Sequence, residues 1–141
     1  MAITRRSFLK GTLYLAGASD YPEMGKNALL EMHRQVGLHT TDGDGIAVRR
    51  VMIRHLVMPN RVAGTEKFVR WVAANLPKST YVNIMHQYHV DYKAFEYLKI
   101  QRTISAEEYI EAMNWAEQYG LTNLDPKSVA VRDFYIKHQK S

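Results

Sequence analysis

The sequence predicts an α/β fold on three observations. Helical and strand-like periodicities alternate along the chain, and each helical stretch carries its own start and stop signals. The two apolar strand candidates are separated by a helix long enough to bring the chain back for parallel pairing. A composition of 46% hydrophobic and 23% charged residues over 141 positions is that of a globular domain with a real core.

The elements follow in order. A helix is predicted from Tyr21 to Val36: Asp20 and Glu23 have capping-box spacing, Pro22 sits in the first turn, and Gly37 supplies a left-handed stop. Met24, Ala28, Met32 and Val36 share one face of it. Thr40 to Gly45 reads as a turn. The apolar run from Ile46 to Met58 reads as a strand ended by Pro59 and Asn60, and its length suggests a hairpin or an extended lead-in before the buried part. Phe68, Val69, Val72, Ala73 and Leu76 have helical spacing between Gly64 and Pro77.

A short strand from Thr80 to Met85 comes next, then a polar and aromatic loop over 91–102. Ser105 and Glu108 form a second capping box, Ile104 and Tyr109 can staple it, and Gly120 ends that helix. In the tail, 125–141, Asp125-Pro126 can start one more helix. Two main strands make a small sheet, whose outer edges need a hairpin, the tail or a partner chain to cover them.

The absence of cysteine excludes disulfides, thiolate zinc sites, a cysteine nucleophile and a cysteine-held iron–sulfur cluster within this chain. The net charge of +5 is spread over Arg5, Arg6, Arg49, Arg50, Arg54, Lys137 and Lys140 without a dense basic stripe, which disfavours nucleic acid as a partner. No apolar stretch approaches the roughly 20 residues of a membrane span. TRRSFLKGTLYLAGA, residues 4–18, fits a twin-arginine export leader over 1–18, with paired arginines before a short apolar run. It fits equally a basic amphipathic start to the domain, so the chain is expected to be cytoplasmic, or exported if the leader functions.

In parallel α/β sheets, ligands meet the carboxyl ends of the strands. That rule selects Met58-Pro59-Asn60 and His86-Gln87-Tyr88-His89. Arg54 alternates with Met52, Leu56 and Met58 along the first strand and is the better anion clamp, because its charge persists and its fork matches a carboxylate. It can equally be an edge arginine reaching solvent along its stem. His55, on the other face, reads as packed and hydrogen-bonded. His86 and His89 have His-x-x-His spacing, and with His55 they give a zinc-enzyme reading that lacks a nearby acid and any certain third ligand. No serine has a nucleophile-elbow context, GDG at 43–45 lacks the spacing of a phosphate loop, and Glu107-Glu108-Glu111 reads as a solvated helix face.

The stretches EMHRQVG (31–37), IRHLVMPN (53–60), YVNIMHQY (81–88), YKAFEY (92–97) and RTISAEEYIEAMNWAEQYGL (102–121) resemble the C-terminal part of radical S-adenosylmethionine proteins related to pyruvate formate-lyase activating enzyme. The resemblance implies that 19–124 is the C-terminal portion of a partial (β/α)6 TIM-like barrel, supplying its last two strands and their helices. It further implies that Arg54, Asn60, Gln87, Tyr88 and His89 line an S-adenosylmethionine site. The family's CxxxCxxC motif, which holds a four-iron four-sulfur cluster, is absent, as are the first four strands, and Val90 stands where a proline is common. No residue of this chain is therefore assigned a catalytic role. The reading that follows is a truncated or split relative, inactive alone, partnered by a complementary N-terminal barrel polypeptide or a glycyl-radical protein. The alternative is a small basic α/β module that binds a protein or nucleic acid.

Overall fold

The structure is a computed structural model that describes residues 21–37, 40–44, 47–49 and 51–139. The leader-like segment 4–18, the Asp20 cap, Gly45, Ile46, Arg50 and Lys140 lie outside the described residues. The described chain is mixed α/β: four α-helices and a two-stranded parallel sheet, with a separate short antiparallel hairpin.

Helix α1, Tyr21–Val36, ends where Gly37 turns left-handed at φ 70° and donates its amide to the His33 carbonyl. The apolar stripe Met24, Ala28, Met32 and Val36 lies exposed, while Leu29 packs on the core. The long strand expected from Ile46 to Met58 is two strands. Residues Thr40–Thr41 (β1) pair antiparallel with Ala47–Arg49 (β2), whereas Met52–Leu56 (β3) pairs with a different partner. The apolar run is continuous in sequence but serves two sheets, so periodicity alone could not divide it.

A 3-10 turn over Pro59–Arg61 leads to α2, Thr65–Asn75, whose left-handed Gly64 sits at the N-cap. Strand β4, Tyr81–Met85, runs parallel to β3 with Ile53 opposite Val82 and Leu56 opposite Met85. A 3-10 segment, Tyr92–Glu96, lies in the loop that follows. Helix α3, Ala106–Gln118, has the expected reciprocal capping box of Ser105 and Glu108. The tail resolves into α4, Pro126–Gln139, where the Asp125 side chain accepts the Lys127 amide at 2.7 Å.

Helices cover one face of the parallel sheet. Val69 and Val72 of α2, Val82 and Ile84 of β4, and Tyr109, Met113 and Ala116 of α3 form the centre of the core. The Tyr109 hydroxyl lies 2.8 Å from the Ile84 carbonyl and 3.1 Å from that of Ser128, so its burial leaves no stranded donor. The outer edge of β4 is closed by the residues before α4: the Val82 amide donates to the Asn123 carbonyl and the Asp125 amide to the Val82 carbonyl. The tail thus supplies one of the two edge covers that the sequence demanded.

Candidate functional site

Alternation along β3 and β4 sorts their side chains into two sets. Ile53, Val82 and Ile84 are buried under the helices, and the half-buried His55 faces the same way. Its ring stacks on Phe68 of α2 at 4.4 Å and its Nε2 lies 2.9 Å from the Thr65 hydroxyl. Burial lowers the His55 pKa to about 4, so the ring is neutral at ordinary pH.

Met52, Arg54 and Leu56, with Tyr81, Asn83 and Met85, form the other set; among the described residues Met52 and Arg54 are exposed and the other four are half-buried. Parallel sheets are normally buried on both faces, and among the described residues this side is the less covered one. Arg54 stands on it directly opposite Asn83 in the register. Among the described residues Arg54 has no hydrogen-bond or ion-pair partner. Asn83 and Tyr81 reach toward the closed edge: Asn83 Oδ1 lies 3.2 Å from the Ser128 hydroxyl, and the Tyr81 hydroxyl donates to Asp125 at 2.7 Å.

The strand-end residues divide. Gln87 and His89 are exposed and have no partner among the described residues. Tyr88 turns inward between them, is buried, and donates its hydroxyl to the Ile100 carbonyl at 2.8 Å, tying the start of the loop to its end. His86 packs edge-on to Tyr109 at 5.6 Å. The histidines therefore do not converge, and no group of three His, Cys, Asp or Glu placed to hold a metal ion occurs among the described residues.

Asn60 is held through its backbone amide and both ends of its side-chain amide. Its amide donates to Glu108 at 2.7 Å, its side-chain NH2 to the Lys99 carbonyl at 2.7 Å, and its oxygen accepts from Arg102 at 3.2 Å. Asn60 and Arg61 are both left-handed, at φ 57°, a conformation common for asparagine and unusual for arginine. Glu108 holds the turn through the Asn60 amide. Its carboxylate also takes both guanidinium nitrogens of Arg102 and the Ser105 amide, and these donors, Arg102 first, hold its pKa down to about 2.

The glutamates expected to form a solvated face are thus partnered: Glu108 as above, Glu111 with Arg61, and Glu107 with Gln139. Capping-box spacing marked Glu108, but its reach to residue 60 needed the fold. A groove of about 830 Å³ lies between this turn and the outer face of α3, lined by Asn60, Arg61, Glu107, Glu111 and Trp115. Arg61 fills part of it, lying 5.5 Å over the Trp115 ring.

The chain matches no protein-family model and no solved structure. It is 46% identical over 72 residues to an uncharacterized protein of Methanocaldococcus jannaschii; the match covers 50% of this chain and 21% of the relative. The chain accordingly spans about a fifth of the length of the relative it matches.

Proposed function

We propose that the chain supplies the closing wall of an S-adenosylmethionine-binding barrel, as a split or truncated relative of the radical S-adenosylmethionine activating enzymes. The observation that carries this reading is the less covered face of the parallel sheet, on which Arg54 is exposed and has no partner for its charge among the described residues. A wall of a partial barrel has its outer side packed by helices and its inner side open until the remaining strands close it.

The residues present fit the organic cofactor in part. Arg54 offers a permanent cation with a bidentate fork for a carboxylate, and exposed Gln87 and His89 offer polar edges beyond the end of β4. Tyr88 acts from behind, fixing the loop through Ile100, and Asn60 through its clamp on Lys99 and Arg102. The residues do not fit the cluster, because the chain has no cysteine to hold it. The chain alone binds and orients; reductive cleavage of the sulfonium belongs to an assembly that brings its own cluster.

The test is an NMR titration with S-adenosylmethionine. Shifts are expected at Arg54, Gln87 and His89, weak in affinity because half the cavity wall is missing, and lost in Arg54→Ala. Shifts that survive Arg54→Ala unchanged, or no shift at millimolar cofactor, refute the reading.

A second reading, a protein-binding module, is favoured by a separate observation: Tyr92, Phe95 and Leu98 project from the loop after β4 at 82%, 65% and 80% exposure. Binding through these side chains is largely insensitive to salt, whereas nucleic-acid binding falls steeply with it.

A further inference from the structure

The loop after β4 runs as a strap from Gln87 to Arg102, and the turn after β3 is tied to it. The Tyr88 hydroxyl fixes the Ile100 carbonyl, and the preceding carbonyl, that of Lys99, takes the Asn60 side-chain NH2 at 2.7 Å. Arg102 donates to the Asn60 side-chain oxygen and to both oxygens of Glu108, which in turn accepts the Asn60 backbone amide. A displacement of the strap therefore reaches Asn60 through its side chain. The turn's own bond, from the Val62 amide to the Pro59 carbonyl, is long at 3.3 Å.

Arg61 is the strained member of that turn. At φ 57° it is left-handed, which asparagine tolerates and arginine seldom adopts. Its Nε donates to Glu111 at 3.0 Å, and its guanidinium lies 5.5 Å over the Trp115 ring in the groove on the outer face of α3. The Arg61 side chain is 67% exposed, and an exposed ion pair holds a backbone conformation only weakly. The ties on Asn60 are the stronger hold.

We infer that Asn60 and Arg61 form a two-position turn that links the ligand-facing rim to the groove over Trp115. With the strap at rest, its ties keep the turn left-handed and Arg61 on the indole. A ligand that draws Gln87 and His89 toward Arg54 pulls the strap and loosens the Lys99 and Arg102 ties. Arg61 then relaxes to a right-handed conformation and leaves the ring. By linkage, whatever binds the freed face of Trp115 favours the ligand-bound rim to the same degree. This rests on the barrel-wall reading for the identity of the ligand; the ties and the strained turn stand without it.

The experiment follows the Trp115 indole resonance by NMR in the full chain, told from that of Trp71 by Trp71→Phe. Arg61→Ala marks where the resonance stands with the ring uncovered. Tyr88→Phe, which loosens the strap, is expected to move it part-way toward the Arg61→Ala position, and saturating S-adenosylmethionine to move it along the same line. Asn60→Gly permits the left-handed turn and keeps the amide bond to Glu108 but cuts both side-chain ties, so in that background neither Tyr88→Phe nor the cofactor moves the resonance. Where circular dichroism shows Asn60→Gly unfolded, Arg102→Gln, which cuts one of the two ties, takes its place and is expected to reduce the displacement. Ser105→Ala weakens the α3 cap, leaves the ties in place and is expected to leave the resonance where it stands.

The link is overturned by a resonance that Tyr88→Phe does not move, by an equal displacement in Ser105→Ala, or by a displacement undiminished in Asn60→Gly or its substitute. S-adenosylmethionine that shifts Gln87 and His89 without moving Trp115 overturns it too. A resonance that answers Tyr88→Phe in a chain that binds no S-adenosylmethionine refutes the cofactor reading and leaves the link standing.

Discussion

The backbone amide of Asn60 donates to the carboxylate of Glu108, 48 residues later, at 2.7 Å. That bond joins the turn after β3 to the first turn of α3, and through Arg102 and Lys99 it also takes in the loop after β4. Both loops at the carboxyl end of the sheet are therefore set by one carboxylate. Because the same group closes the helix cap at Ser105, the position of the rim and the start of α3 are one structural event.

Glu108→Ala is expected to destabilise the fold by about 2 kcal/mol, from the lost cap and the stranded Asn60 and Ser105 amides. Urea unfolding measures it. The pH dependence has a defined sign. The folded pKa is held down to about 2 from an ordinary value of 4.5, so the contribution is present above pH 4.5 and lost as pH falls toward 2. A variant as stable as the parent refutes the clamp.

His55 gives a second acid-sensitive contribution at higher pH. Its folded pKa is lowered to about 4 from 6.5, so the unfolded chain takes up the proton first. Stability is complete above pH 6.5 and declines as pH falls toward 4, by up to about 3 kcal/mol. His55→Leu removes this slope between pH 6.5 and 4, whatever its effect at neutral pH. A slope unchanged in the variant assigns the loss to other groups.

Tyr88→Phe is expected to cost about 1 kcal/mol, because the Ile100 carbonyl loses its donor in a buried place. Amide exchange should quicken over the loop between them while the β4 amides keep their protection. Equal acceleration in β4 shows a global effect instead and removes the loop-tying role.

The sequence told most where local chemistry decides the structure. The stop of α1 at Gly37, the cap of α3 at Ser105 and the end of α2 before Pro77 follow from side chains within a few residues of the feature. It told less where a segment's role depends on a distant partner. The apolar run into β3 divides because β2 returns to β1, and Tyr88 faces inward because the Ile100 carbonyl lies behind it. Arg54 was legible as an anion clamp by residue type. Its lack of a partner among the described residues goes with the thinner cover on that side of the sheet, which no pattern in β3 or β4 encodes.

Its exposure makes Arg54 the residue at which binding and stability separate. A guanidinium that is exposed and unpartnered among the described residues contributes little to the fold, so Arg54→Ala should change the urea midpoint by no more than about 0.5 kcal/mol equivalent. The same variant should abolish the shifts that S-adenosylmethionine produces at Gln87 and His89, since a carboxylate on that face has no other exposed cation along β3 or β4 to meet. Arg54→Lys distinguishes charge from geometry: partial retention indicates a point charge, and loss equal to alanine indicates the bidentate fork. If instead Arg54→Ala unfolds the chain, the side chain has a structural partner, and the open face is not a binding surface in the protein in solution.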